Sequence, residues 1–407
     1  MPASPSATPS SRSVGSQGSD ARSGTGRGIG IRTAARREER ANGQLHVYDG
    51  DGKGKSQAAL GVVLRTIGLG ICEQKRTRVL LLRFLKGPGR SYDEDAAIEA
   101  LQQGFPHLID QVRTGRGEHF SADEVTVFDR QEAQRGWDIA RGAIASALYS
   151  VVVLDEINPV LELGLLDAED VVQTLMGRPA GMEVICTGRA APRALVQVAD
   201  LHSEMRAHRR SDRILLDDYE SAEGLDGIEI YTGEGKGKST SALGKALQAI
   251  GRGISQDKSH RVLILQWLKG GSGYTEDAAI AALRESYPHL VDHLRSGRDA
   301  IVWRGQQLPI DYVEAERAWE IARAAISSGL YKTVILDEIN PTVDLELLPV
   351  EPIVQTLLRK PSETEVILTG RCKNPPAYFD LASVHSEMVC HKHYAERGID
   401  LKRGVDY

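Results

Sequence analysis

Tyr48-Asp-Gly-Asp-Gly-Lys-Gly-Lys-Ser-Gln57 returns 183 positions later as Tyr231-Thr-Gly-Glu-Gly-Lys-Gly-Lys-Ser-Thr240. The flanking sequence repeats with it. Arg83-Phe-Leu-Lys-Gly87 answers to Gln266-Trp-Leu-Lys-Gly270, and Phe105-Pro-His-Leu108 to Tyr287-Pro-His-Leu290. Leu154-Asp-Glu-Ile-Asn-Pro159 answers to Leu336-Asp-Glu-Ile-Asn-Pro341, and Thr187-Gly-Arg189 to Thr369-Gly-Arg371. The acidic pairs lie 182 positions apart against 183 for the loop lysines, so the copies differ by almost no net insertion. Solenoid repeats have far shorter periods; this is a duplicated domain.

A glycine-rich loop closing on Lys-Ser at the start of a helix is a phosphate cradle, in which backbone N–H groups wrap the anion, the lysine neutralises it and the hydroxyl holds a magnesium ion. The common spacing G-x-x-x-x-G-K-[ST] places the first glycine at Asp49 and Thr232, one residue out of register. One such match reads as well as a surface turn. Two matches, each after an expected strand and before an expected helix, favour the cradle. The candidate phosphate-binding residues are Gly50, Gly52, Lys53, Gly54, Lys55, Ser56 and Gln57, and Gly233, Gly235, Lys236, Gly237, Lys238, Ser239 and Thr240.

Each copy alternates strand and helix. In the first, 45–48, 78–84, 151–155 and 183–187 read as strands, the last three as apolar runs buried on both faces. Residues 56–67, 93–103 and 130–148 have helical spacing, the first ending at Gly68 and Gly70. Strands 228–231, 261–267, 333–337 and 365–369 repeat the order. The pattern implies βαβ units and a mainly parallel sheet, with ligands at the carboxyl ends of the strands. Asp155-Glu156 and Asp337-Glu338 stand at such ends, as a Walker B pair does, and with Ser56 and Ser239 form the candidate metal set. An acidic turn or helix cap is the alternative. Arg189 and Arg371 follow strand-end Thr-Gly pairs and can reach a phosphate or make a structural salt bridge.

With 407 residues, 41% hydrophobic and 26% charged, the chain has the composition of a globular protein with room for two domains, each able to bury its own core. A net charge of −6 gives no general attraction to nucleic acid. No apolar run nears the roughly 18 residues of a membrane span, and the N-terminus lacks a secretory signal, so a cytoplasmic location is expected. Cys72, Cys186, Cys372 and Cys390 show no CxxC pairing and do not correspond between the copies, so they read as buried or incidental thiols in preference to a disulfide framework or zinc site. Residues 1–43 form a Ser-, Gly- and Arg-rich leader expected to be disordered, with a short helix at 32–41. Import into an organelle is the alternative for this acid-poor segment. The expected domains are 44–212 and 227–407, joined by a linker at 213–226.

These strings, with Ser386-Glu-Met388 and the terminal Lys402-Arg-Gly-Val-Asp-Tyr407, resemble the ATP:corrinoid adenosyltransferases of the CobA/CobO type, whose loop is T-G-x-G-K-G-K-[ST]-[ST]. The resemblance spans about 44–208 and 227–407 and accounts for the register. It implies an α/β fold of the P-loop NTPase, RecA-like kind, a mainly parallel sheet flanked by helices, in two tandem copies. It implies transfer of the 5′-deoxyadenosyl group of ATP to a reduced Co(I) corrinoid, with triphosphate leaving. ATP and magnesium, or manganese in its place, are the implied cofactors, and a reductase supplying Co(I) the implied partner. No nucleic acid or membrane partner is expected. Lys55, Lys238, Glu156 and Glu338 take the catalytic roles by matching position. Phe120 and Trp303 are the nearest matches to aromatic residues near the corrinoid, a core role being the alternative for each. Because the family works as homodimers in which an N-terminal segment of one subunit covers the other's site, two fused copies are expected to form an intramolecular pseudo-dimer. Residues 32–42 would then cover a site in the second copy.

There are departures. Pro159 and Pro341 stand where the family carries an aromatic residue, Asp49 where it has Thr, and Gln57 where it has a hydroxyl. Only the second copy keeps Thr232, Thr240 and the C-terminal tail, so it is the better enzyme candidate. A P-loop ATPase of other chemistry, and an ATP-binding sensor or scaffold that has lost transfer, are the competing classes.

Overall fold

The computed structural model describes residues 43–73, 77–87, 89–117, 120–208 and 226–407. Residues 1–42 of the leader, where a short helix is expected, and nearly all of the linker lie outside the described residues.

In the first half the strands are β1 (Leu45–Asp49), β2 (Val79–Arg83), β3 (Ile109–Arg113), β4 (Val151–Asp155), β5 (Glu183–Thr187) and β6 (Leu201–His208). In the second they are β7 (Ile228–Thr232), β8 (Arg261–Gln266), β9 (Val291–Arg295), β10 (Tyr331–Asp337), β11 (Glu365–Thr369) and β12 (Val384–Lys392). All twelve share one sheet in the order β3-β2-β4-β5-β1-β6-β12-β7-β11-β10-β8-β9. Read outward from the centre, each half gives the same order of equivalent strands. Every pairing is parallel except β6 with β12, where the halves meet and Met205 stands opposite Met388. Helices flank this large, mostly parallel sheet, and no helix among the described residues is long and apolar enough to cross a membrane.

Side chains alternate across each strand and so feed two faces. Val79 and Leu81 of β2 join Val262 and Ile264 of β8 in one core cluster common to both halves. Leu80 and Leu82 enter a cluster confined to the first half, and Leu263 and Leu265 one confined to the second. The expectation that each copy buries its own core therefore holds on one face only. On the other, the loop helices Lys55–Glu73 and Lys238–Ser255 pack against each other. Glycine allows the approach: a Cβ on Gly61 would lie 2.0 Å from the Thr240 carbonyl oxygen, and one on Gly244 2.0 Å from that of Gln57.

Gly68 and Gly70 do not end the first loop helix, which runs on to Glu73. A Cβ on Gly68 would meet the Thr275 carbonyl oxygen at 1.8 Å, so this glycine clears space for the other half rather than breaking the helix. Strands β3, β6, β9 and β12 are additions to the expected set. Their residues, such as Asp110, Gln111 and His202, are too polar to read as buried strands.

Candidate functional site

The one-residue offset of the loop has a local cause. Strands β1 and β7 extend through Asp49 and Thr232, so the turn begins one residue later, at Gly50 and Gly233. These have φ of +94° and +97°, and Gly54 and Gly237, just before the lysines, +114° and +131°, all in the region that glycine enters without a Cβ penalty. Each loop is tied to the strand joining the halves: Gly52 N–H donates to the Met205 carbonyl and Gly235 N–H to that of Met388, both at 2.6 Å. Helices start at Lys55 and Lys238, so their first N–H groups and positive dipole ends lie at the loops. Lys55 Nζ donates to the carbonyls of Gly50 (2.8 Å) and Gly52 (2.6 Å), and Lys238 Nζ to that of Gly235 (2.7 Å).

The acidic pairs divide their work. Asp155 is buried, accepting from Lys86 Nζ at 2.5 Å and from Thr187 Oγ1 at 2.6 Å. Asp337 accepts from Lys269 Nζ (2.6 Å), Gln266 Nε2 (2.9 Å) and Thr369 Oγ1 (2.6 Å). Burial alone would raise both carboxyl pKa values, but the lysine beside each, with the hydrogen bonds, holds them below the ordinary range. The two aspartates thus anchor a lysine and a threonine. The following glutamates turn the other way. Glu156 and Glu338 have φ of 63° and 64°, a conformation that costs a non-glycine residue about 1–2 kcal/mol. Their N–H groups donate to Thr187 Oγ1 (3.1 Å) and Thr369 Oγ1 (3.2 Å). Glu338 Oε1 accepts from Ser239 Oγ at 3.3 Å, the helix-start hydroxyl expected beside a metal.

Around the first loop these elements enclose a cavity of about 640 Å³. The loop contributes Lys53, Lys55, Ser56 and Gln57, and the strand ends Glu156, Pro159 and Arg189. Lys86, Arg90 and Tyr92 follow β2, and Phe120 and Leu163 complete the wall. The cavity lies at the carboxyl ends of the parallel strands, as expected. Phe120 is half-buried, packed against the first-half core with the Arg116 guanidinium 4.0 Å from its ring centroid. Trp303 differs: its side chain is exposed. Arg371 is exposed and lies 3.3 Å from Glu234, whereas Arg189 faces the cavity. The prolines pack on the Thr-Gly-Arg turns. Gly188 and Gly370, at φ +128° and +124°, have the Cδ of Pro159 and Pro341 where a Cβ would stand, at 2.3 and 2.2 Å.

The loops are not equivalent. Lys53 is exposed at the cavity, but Lys236 is largely covered by the C-terminal tail, its side chain 10% exposed, 2.5 Å from Asp406 Oδ1 and 2.9 Å from Tyr394 Oη. Asp49, in place of the family's Thr, lies 2.9 Å from His202 Nε2. The sequence reading gave no role to Lys86 and Lys269, although the repeat of Phe/Trp-Leu-Lys-Gly in both copies marked them. Thr187 and Thr369, repeated in the Thr-Gly-Arg strings, likewise carry a role that only the fold shows. All four cysteines are free. Among the described residues no cluster of three or more His, Cys, Asp or Glu side chains is placed to hold a metal. The donor set fits magnesium, which takes one or two protein oxygens and fills its remaining positions with phosphate and water.

The sequence model of the family described as ATP:corrinoid adenosyltransferase BtuR/CobO/CobP matches the chain twice, over residues 41–214 and 224–407. An uncharacterized protein of Nostoc sp. is 70% identical over 386 residues, covering 94% of this chain and all of the relative. The corrinoid adenosyltransferase of Pseudomonas aeruginosa is 33% identical over 172 residues, 42% of this chain and 78% of the relative. The corrinoid adenosyltransferase CobA of Salmonella typhimurium is 28% identical over 211 residues, 52% of this chain and all of the relative.

Proposed function

The chain belongs to the ATP:corrinoid adenosyltransferase family as a tandem duplication, and from this we propose that it transfers the 5′-deoxyadenosyl group of ATP to a Co(I) corrinoid, cob(I)yrinic acid a,c-diamide or cob(I)alamin. The observation that carries nucleotide binding at residue level is the first-half cavity in which Lys55, Ser56, Glu156 and Arg189 converge at a helix N-terminus. Lys53, Lys55, Arg90 and Arg189 outnumber the acidic Asp51 and Glu156 in its lining, which suits a triphosphate of three to four negative charges. In the transfer the cobalt electron pair forms the Co–C5′ bond while the C5′–O bond breaks, its electrons leaving on the triphosphate. No proton moves, so the site needs no general base. Its residues hold the triphosphate and steer C5′, and the loop lysines stabilise the leaving charge. Magnesium, or manganese in its place, would be held by Ser56 and Glu156, and by Ser239 and Glu338, and would supply further charge neutralisation. Asp155 and Asp337 complete the set expected around the ion and also orient Lys86 and Lys269.

Each half is read as a P-loop, RecA-like unit, and the two as an intramolecular pseudo-dimer. The central seam supports this, because its contacts recur with the halves exchanged. His391 Nε2 lies 2.7 Å from Glu204, and His208 Nε2 2.8 Å from Glu387. His202 stacks on His391, and His208 on His385. Such reciprocity is the mark of a two-fold interface. A cytoplasmic location and a reductase supplying Co(I) belong to the same reading.

Both halves keep Lys-Ser and a strand-end glutamate, so both are assigned a nucleotide, while transfer is assigned to the second, which retains Thr240 and the tail. An anaerobic assay of Co–C bond formation tests this. Lys238→Ala is expected to eliminate transfer and Lys55→Ala to reduce it in part; equal losses would mean two working sites or a composite one, and the reverse order would overturn the assignment. ATP binding with no transfer to any corrinoid would favour a sensor.

A further inference from the structure

Gly54 stands immediately before the first loop lysine, and its carbonyl oxygen accepts two hydrogen bonds. One comes from the N–H of Ala58, at 2.7 Å, in the helix that follows. The other comes from Ser241 Oγ, at 3.0 Å, 187 residues away in the second half. Ser241 is fully buried. The carbonyl and the following N–H of a trans peptide point in opposite directions. Holding Gly54 O toward Ala58 and Ser241 therefore aims the Lys55 N–H the other way, and that group is one of the four donors a helix leaves unbonded at its start.

The second loop solves the same problem locally. Gly237 O accepts from Ser241 N–H at 2.7 Å and from Thr240 Oγ1 at 3.0 Å, both on its own helix. The first-half counterpart of Thr240 is Gln57, whose amide reaches Gln248 at 3.5 Å and offers no hydroxyl. The counterpart of Ser241 is Ala58, so the link between the halves runs one way. Each pre-lysine carbonyl thus receives one N–H and one hydroxyl, and only the origin of the hydroxyl differs. Close packing of the loop helices at Gly61 and Gly244 brings the first turn of one helix to the other's loop.

We infer that Ser241 is a positioning residue acting across the halves: it replaces the hydroxyl lost at position 57 and orients the first loop for the phosphates of ATP. The inference rests on the assignment of a nucleotide to the first loop. The test is calorimetric titration of magnesium and ATP into the full chain carrying Lys238→Ala, so that the heat reports the first loop. Adding Ser241→Ala, which keeps the Cβ packing and removes one oxygen, is expected to weaken ATP binding roughly five- to tenfold. Adding Gln57→Thr to that variant restores the local hydroxyl and is expected to bring affinity back to within about twofold. A general loss of packing would not be repaired by position 57. Undiminished affinity in the Ser241→Ala protein, or no recovery with Gln57→Thr, overturns the inference. If Lys55→Ala in the same background leaves ATP binding intact, the first-loop assignment itself falls; if Lys55→Ala abolishes binding while Ser241→Ala does nothing, the inference alone falls.

Discussion

Lys238 ends its loop in a setting that burial makes unfavourable for charge. Burial brings its pKa down to about 8, Glu338 offsetting part of the effect, and burial likewise lowers Lys55. A phosphate favours the charged amine, so binding at pH above 8 must take up a proton. ATP affinity at the second loop is therefore expected to be constant below about pH 7 and to fall as pH rises through 8, up to about tenfold per unit. Calorimetry on the Lys55→Ala variant from pH 6.5 to 9.5 checks this, and a flat profile would place the lysine in a more solvated setting. Substituting both Lys55 and Lys238 should remove ATP binding altogether. The positions of both lysines could be read from the motif, but their surroundings could not: Lys236 belongs to the same repeat as Lys53, yet is committed to Asp406.

At the scale of elements, the C-terminal tail and the loop helices join the halves. Arg65 of the first loop helix donates to the Asp406 carbonyl (2.6 Å) and pairs with Glu276 (3.2 Å), Thr66 Oγ1 donates to the Gly404 carbonyl (2.9 Å), and Lys402 pairs with Glu183 (2.8 Å). Asp406→Ala strands Lys236 as a buried charge and is expected to cost about 3–5 kcal/mol, read as a lowered unfolding midpoint. Burial works against the charge on Glu183 and Asp406, but their partners prevail and hold each pKa at about 2. Folded values below the unfolded ones mean that their stabilisation is present above about pH 4.5 and is lost as pH falls toward 2. Thermal unfolding across that range should show the decline, and Glu183→Gln should flatten it. Gly61→Val and Gly244→Val place side-chain atoms on a backbone carbonyl and should separate the loop helices, lowering the midpoint far more than Gly142→Val, where a Cβ meets nothing within 4 Å.

For the whole molecule, the decisive feature is the core shared across the sheet. Because Leu60, Val62 and Leu64 of the first half and Leu243, Ala246 and Leu247 of the second bury the same cluster, neither half can unfold without exposing apolar surface of the other. Residues 40–407 are expected to unfold in one calorimetric transition, and scattering should show one particle instead of two independently tumbling globules. Two separated transitions would argue against coupling through this core.

The sequence alone determined the duplication, the strand-loop-helix setting of the lysines and the strands ending in Asp-Glu, since apolar runs and glycine positions are local signals that each segment carries. Strands β3, β6, β9 and β12 escaped notice because edge and seam strands keep polar side chains such as Asp110, His202 and His385. Tertiary structure decided which groups meet: Lys86 with Asp155, Lys236 with Asp406, Ser241 with Gly54, and the two loop helices with each other. These partners lie from 69 to 187 residues apart, except the helices, which meet along their length. No local pattern encodes such pairings; they follow from the order of strands in the sheet and from the glycines that let two backbones come together.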